Sequence, residues 1–126
     1  MSVEEIKALV RRYVDEPLNK GNFAVWDELC APEFTVRNLA DNTVQSREDQ
    51  KRSFSQVRTN FPDFKNTLEE VIVEGDRAAF RWTMSWTEEG KPKKAVGITI
   101  LRIRNGKVVD DYFISDFVKM EQPVSS

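Results

Sequence analysis

The chain contains no histidine and a single cysteine among its 126 residues. Without histidine there are no Ser–His or Cys–His nucleophile pairs, no imidazole base and few routes to a catalytic zinc site. Acid–base chemistry must then rest on carboxylates, tyrosine, lysine, arginine or a bound ligand. One cysteine rules out an intramolecular disulfide framework, and Cys30, which follows Leu29 on a short apolar stretch, reads as a buried thiol. Metal-ligand spacing, phosphate loops and nucleotide fingerprints are all missing, so neither metal nor cofactor is expected. Nor is there an excess of one charge. With 19 basic against 21 acidic residues the formal charge is −2, which gives no electrostatic case for nucleic acid or an anionic membrane as partner. Apolar runs fall well short of the roughly 18 residues that span a bilayer. The opening MSVEEIK lacks the basic and apolar regions of a secretory signal, so a cytoplasmic location is expected.

What is present suffices for one folded domain. Hydrophobic residues make up 40% and aromatics 10%, enough for a packed core. Repeats, linkers and low-complexity blocks do not interrupt the chain, so residues 1–122 read as one domain and 123–126 as a short tail. Ser2 and Glu5 form a capping-box pattern, followed by Ile6, Leu9, Val10 and Tyr13 at helical spacing. Pro17 is expected to end or kink that helix near Asp15 or Glu16. After an Asn19–Asn22 turn, Asn22 can cap a short helix carrying Phe23, Trp26, Leu29 and Cys30, stopped by Ala31-Pro32. A strand is expected over 34–39, and a third helix starts at Ser46 with Asp49 and ends at Phe61-Pro62-Asp63.

The rest of the chain reads as strands. Residues 67–74 form one, and Phe80, Trp82, Met84 and Trp86 alternate with Arg81, Thr83 and Ser85 in a period of two. Glu89-Gly90 and Asn105-Gly106 are hairpin turns. Helices followed by a meander of long strands predict an α+β fold in which helices cover one face of a curved antiparallel sheet. Turn type fixes register. Arg104 then faces Lys107, Ala95 faces Asp116, Met84 faces Ala95, Trp82 faces Gly97 and Phe80 faces Thr99. On that register Phe80, Trp82, Met84, Tyr112, Ile114 and Asp116 share one face. Small residues on the middle strand leave a hollow between the aromatics, a pocket for a small apolar or aromatic ligand. The opposite face collects Val96, Ile98, Ile100 and Phe113, an apolar patch that predicts a homodimer. A β-bulge would shift every assignment beyond it.

Several segments together resemble a known family. The NKGN turn, WDELCAPEF, a helix ending in FPDF, then VEGDRAAFRWTMSWT, ILRIRNGKVVDDY and ISDF are similar to SnoaL-like polyketide cyclases of the nuclear-transport-factor-2-like superfamily, from about Ile6 to Met120. The resemblance implies a cone-like curved sheet wrapped by about three N-terminal helices, commonly as a homodimer. It also implies an aspartate near the end of the last strand, here Asp116, acting as acid/base in an intramolecular aldol closure without metal or cofactor. Where the family often carries histidines, this chain has Arg37 after its APEF segment and Trp86-Thr87-Glu88 after its RW strand.

Asp116 is therefore the candidate proton-transfer residue, with an exposed or capping carboxylate as the alternative. Tyr112 is either a hydrogen-bond donor to a carbonyl or a core aromatic. Trp82, Phe80, Met84, Ile114 and Trp26 are candidate substrate-binding residues that core packing would equally explain. Arg37 either meets Asp116 or an anionic group, or lies solvated at a strand edge. Of the acidic pair, Asp110 is placed on the pocket face, and either it or Asp111 is expected to pair with Lys107 or Arg102. Two functions follow. One is a cofactor-independent enzyme moving a proton on a small, mostly apolar carbonyl compound in aldol cyclisation or isomerisation. The other is a non-catalytic small-molecule-binding or dimeric scaffold module of the same fold.

Overall fold

A computed structural model describes residues 1–116; the expected boundary at 122, the tail 123–126 and the end of the family resemblance lie outside the described residues. Helix α1 (Val3–Lys20) opens with the expected capping box, Glu5 N–H on Ser2 Oγ at 3.1 Å and Ser2 N–H on Glu5 Oε1 at 2.7 Å. Its apolar side, from Ile6 to Leu18, is buried. Pro17 does not end it. A proline at this position takes the backbone donor away from the Tyr13 carbonyl one turn earlier. The indole Nε1–H of Trp26 replaces that donor at 3.1 Å, and the helix runs on to a left-handed cap at Gly21. Pro17 is fully buried in the process.

Helix α2 (Ala24–Leu29) begins without a side-chain cap; Phe23 holds the capping position, and Asn22 contributes only its carbonyl. Strand β1 (Cys30–Asn38) follows directly, several residues earlier than expected. Pro32 is accommodated because β1 loses regular pairing between Cys30 and Thr35. After β2 (Val44–Ser46), helix α3 (Arg47–Asn60) starts on the expected Ser46–Asp49 capping box. The strands β3 (Lys65–Glu74), β4 (Arg77–Glu88), β5 (Lys91–Arg104) and β6 (Lys107–Ser115) form the meander.

The six strands make one unclosed sheet in the order β2-β1-β6-β5-β4-β3. It is antiparallel except where β1 joins β6 in parallel. Both expected hairpin turns are present, with positive φ at Glu89, Gly90, Asn105 and Gly106 as such tight turns require. Register shifts in β3, between β5 and β6, and in β1 curve the long strands, as inserted residues do. The helices cover the concave face, and the apolar core lies between. This is the α+β cone anticipated from the sequence.

Candidate functional site

The β4–β5 register is as expected: Met84 faces Ala95, Trp82 faces Gly97 and Phe80 faces Thr99. The hollow over the middle strand is partly filled, however. The Trp82 ring lies across Gly97, where an added Cβ would come within 2.2 Å of it, and its Nε1–H donates to Thr99 Oγ1 at 2.9 Å. The remaining cavity, of about 70 Å³, lies between sheet and helices. Phe80, Trp82, Met84 and Trp26 line it, as anticipated, and α3 closes it with Phe54, Val57 and the half-buried Gln50 and Ser53.

On β6 the expected faces are reversed. Arg104 faces Lys107, but Ile103 then pairs with Val108 while Arg102 pairs with Asp110, which leaves Val109 as an extra residue. Val108 and Val109 are both buried. One inserted residue turns every later side chain to the other face. Gly97, not Ala95, is the position opposite the strand end, pairing with Ser115. Tyr112, Ile114 and Asp116 therefore leave the cavity face, and Asp111 and Phe113 enter it. Asp116 is exposed, its carboxylate accepting the Val96 N–H at 2.8 Å. Ile114 is half exposed, and Tyr112 lies beside Arg37 of β1 on the outer side of the sheet. Phe113 likewise moves from the expected outer patch to the cavity wall, its place outside taken by Ile114. Asp110 does meet Arg102, with Nε at 2.7 Å from its carboxylate. The pocket-face placement passes from Asp110 to Asp111.

Asp111 is the polar centre of the cavity. It is buried, and Tyr13 donates its phenol hydrogen to Oδ2 at 2.5 Å. Its Oδ1 is buried with no hydrogen-bond partner among the described residues. Burial pushes the carboxyl up to about 7, opposed by the Tyr13 hydrogen bond, which favours the ionised form. Burial, and then the Asp111 charge, push the Tyr13 hydroxyl up as well. Tyr13 is held from three sides: by α1, by Trp26 with ring centroids 6.0 Å apart, and by Phe34 at 6.4 Å. Thr99, two positions from Asp111 along the concave face, accepts from Trp82 and keeps its own hydroxyl proton to donate. Cys30 is buried, and burial with the nearby Asp111 charge pushes its thiol up to about 12, so it carries no thiolate at neutral pH.

Tyr13 reads in the sequence as one more apolar residue on α1, and Asp111 as a surface charge. The signal that reassigns Asp111 is the run Val108-Val109-Asp110-Asp111, two apolar then two acidic residues, which breaks a strict period of two. Nothing local to Tyr13 pairs it with a carboxylate 98 residues away. No group of three histidine, cysteine or acidic side chains able to hold a metal occurs among the described residues. No described helix is long and apolar enough to cross a membrane.

No curated protein matches the chain in sequence. Solved structures do share its fold. A loop-truncation variant of IdmH is 27% identical, with a TM-score of 0.71 over 83% of this chain and 88% of that one. A candidate polyketide cyclase from Acidithiobacillus ferrooxidans is 21% identical, with a TM-score of 0.77 over 94% of this chain and 93% of the other. Another from Bacillus cereus is 21% identical, with a TM-score of 0.81 over 97% and 83%. The SnoaL-like domain matches from residue 10 to residue 111, which takes in the second half of α1 with Tyr13, most of the cavity walls and Asp111, and the chain belongs to this SnoaL-like domain family.

Proposed function

We propose that the protein is a cofactor-independent acid–base enzyme acting on a small, mostly apolar carbonyl compound, with Asp111 in the proton-transfer role first considered for Asp116. The observation that carries this reading is the buried Asp111 carboxyl, with one oxygen held by Tyr13 and the other unpartnered on an apolar cavity wall. A carboxyl poised near neutrality serves as base and then as acid, because both of its forms are populated at working pH. Asp111 Oδ1 takes a proton from the carbon next to the carbonyl. The electron pair left behind moves onto the carbonyl oxygen, where the Thr99 hydroxyl can donate to the enolate. Tyr13, by its bond to Oδ2, fixes the carboxylate in place and favours the ionised form that takes the proton. The enolate carbon then attacks a second carbonyl of the same molecule, closing a ring whose alkoxide takes the proton back from Asp111, or, where the enolate is conjugated with a double bond, Asp111 returns the proton to the remote carbon. Aldol cyclisation and isomerisation share this first step. Trp82, Phe80, Met84 and Trp26 exclude water from it, which strengthens each polar interaction inside. Tyr112, Ile114 and Arg37, on the outer side of the sheet, take no part.

We also infer that a second copy of the chain covers the outer sheet face. Val96, Ile98, Ile100 and Ile114 stand exposed there at 37–52%. Arg81 is paired with Glu70 and Arg102 with Asp110, so two of the charges bordering the patch are already neutralised.

The direct test is exchange of the α-hydrogens of 4-phenylbutan-2-one in D₂O, followed by proton NMR. The wild-type protein should accelerate exchange, and Asp111→Asn should lose that acceleration by about 100-fold or more, the usual contribution of a placed general base. Asp116→Asn should exchange like the parent. An Asp111→Asn protein as active as wild type, or a wild type without exchange, ends this reading.

A further inference from the structure

One buried polar group on the cavity wall has no part in the proton transfer. Asn66 is 3% exposed and stands in β3 opposite Met84, on the concave face. The inward positions on either side of it are Phe64, just before the strand, and Leu68 within it, both apolar. Asparagine is disfavoured in strands, and a buried amide is tolerated where its polar atoms find partners. The Asn66 backbone has them: its N–H donates to Asn19 Oδ1 at 2.7 Å, and its carbonyl accepts from Asn19 Nδ2 at 2.8 Å. Asn19 is held in turn by Asp15 at 3.0 Å. The Asn66 side-chain Oδ1, in contrast, is buried with no partner among the described residues. The framework thus fixes the residue and leaves its acceptor unmet.

Its position relative to Asp111 gives the unmet acceptor a meaning. Asp111 pairs with Leu101, which faces Ala78 on β4, whereas Asn66 faces Met84, six residues further along β4. The two residues sit at opposite corners of the concave face, on strands separated by β5 and β4, and both line the same cavity. Phe80, Trp82 and Met84 form the apolar wall between them. Asn66 also borders the polar groove along α1, lined by Asp15, Asn19 and Lys20.

We propose that Asn66 is a specificity-determining residue whose Oδ1 accepts a hydrogen bond from a hydroxyl or amine at the end of the substrate remote from the reacting carbonyl. This rests on the proton-transfer reading for Asp111 and defines the substrate class further: an apolar body with a carbonyl at one end and a hydrogen-bond donor at the other. Substrates without the donor leave the buried acceptor unmet and bind more weakly for that reason.

The test compares 4-(4-hydroxyphenyl)butan-2-one with 4-phenylbutan-2-one, titrated into the protein and followed by tryptophan fluorescence, since Trp82 and Trp26 line the cavity. The hydroxylated ketone should bind wild type about tenfold more tightly, equivalent to about 1.4 kcal/mol. Asn66→Leu should abolish the difference by weakening only the hydroxylated probe. The ligand-free Asn66→Leu protein should melt at or above the wild-type temperature, because an apolar side chain replaces an unmet acceptor. Equal affinity of the two ketones for wild type, a preference that survives in Asn66→Leu, or no binding of either at millimolar concentration overturns the proposal. So does a lower melting temperature for Asn66→Leu, which would mark a structural amide. The two readings separate cleanly: Asp111→Asn should stop α-hydrogen exchange yet keep the preference for the hydroxylated probe. Exchange that survives Asp111→Asn, with the preference intact, would remove the Asp111 reading and leave Asn66 as the selector of a bound ligand.

Discussion

Asp111→Asn should make the protein more stable at neutral pH while removing its proton-transfer group. The carboxyl is buried and rises from an ordinary 3.8 to about 7 on folding. In the unfolded chain it loses its proton near pH 3.8, whereas in the folded protein it keeps it to about pH 7. Between those values the folded state binds more protons than the unfolded one, so the contribution of Asp111 to stability is full below 3.8 and falls as pH rises. At about 1.4 kcal/mol for each pH unit, the loss comes to about 4 kcal/mol by pH 7 and is flat above it. Asparagine has the same shape, can still accept from Tyr13, and carries no charge to desolvate. The assay is urea denaturation of both proteins at intervals from pH 4.5 to 8, read as the stability difference between them. Carboxylates held low in the native state act with the opposite sign. Asp15, held by Asn19, and Asp63, held by Thr87, lose stability as pH falls, and taking the difference cancels them. The difference should move in favour of Asp111→Asn by about 1.4 kcal/mol per pH unit and level off near pH 7. Parallel curves for the two proteins would refute a desolvated Asp111.

Three other outcomes follow from the same geometry. Tyr13→Phe removes the hydrogen bond that favours the charged carboxylate, so the Asp111 titration seen by carboxyl-carbon NMR should move further upward. Gly97→Ala places a methyl group within 2.2 Å of the Trp82 ring and should cost about 1–3 kcal/mol of stability in denaturant melts, with the Trp82–Thr99 hydrogen bond lost. Ile98→Glu puts a charge into the exposed patch of the outer sheet face, and sedimentation velocity should show a dimeric parent and a monomeric variant.

How much of this was legible in the sequence depends on the range over which each signal acts. The two serine capping boxes, the Glu89-Gly90 and Asn105-Gly106 turns and the alternation through β4 are each complete within a few residues, and all appear where they were expected. Pro17 misled because its helix-breaking effect was judged from α1 alone. The missing donor is supplied by Trp26, from a helix whose packing against α1 no local rule describes. The candidate site was legible on its walls and not at its centre. Phe80, Trp82, Met84 and Trp26 were recognisable as pocket aromatics and sulfur, while Tyr13 and Asp111 were read as core and surface.

By itself, then, the sequence determined the main helices, the long-stranded meander that follows the last of them, the family, and the exclusion of histidine chemistry. Each of these follows from residue chemistry and from contacts a few positions apart. Tertiary structure alone decided which acidic residue is buried. In a strand the side-chain period is two, so the single extra residue at Val109 exchanges inside for outside along the rest of β6. That exchange moves Asp116 to solvent and Asp111 beneath α1. Burial there, a property of the assembled fold, is what raises the carboxyl toward neutrality and makes an ordinary aspartate the candidate for proton transfer.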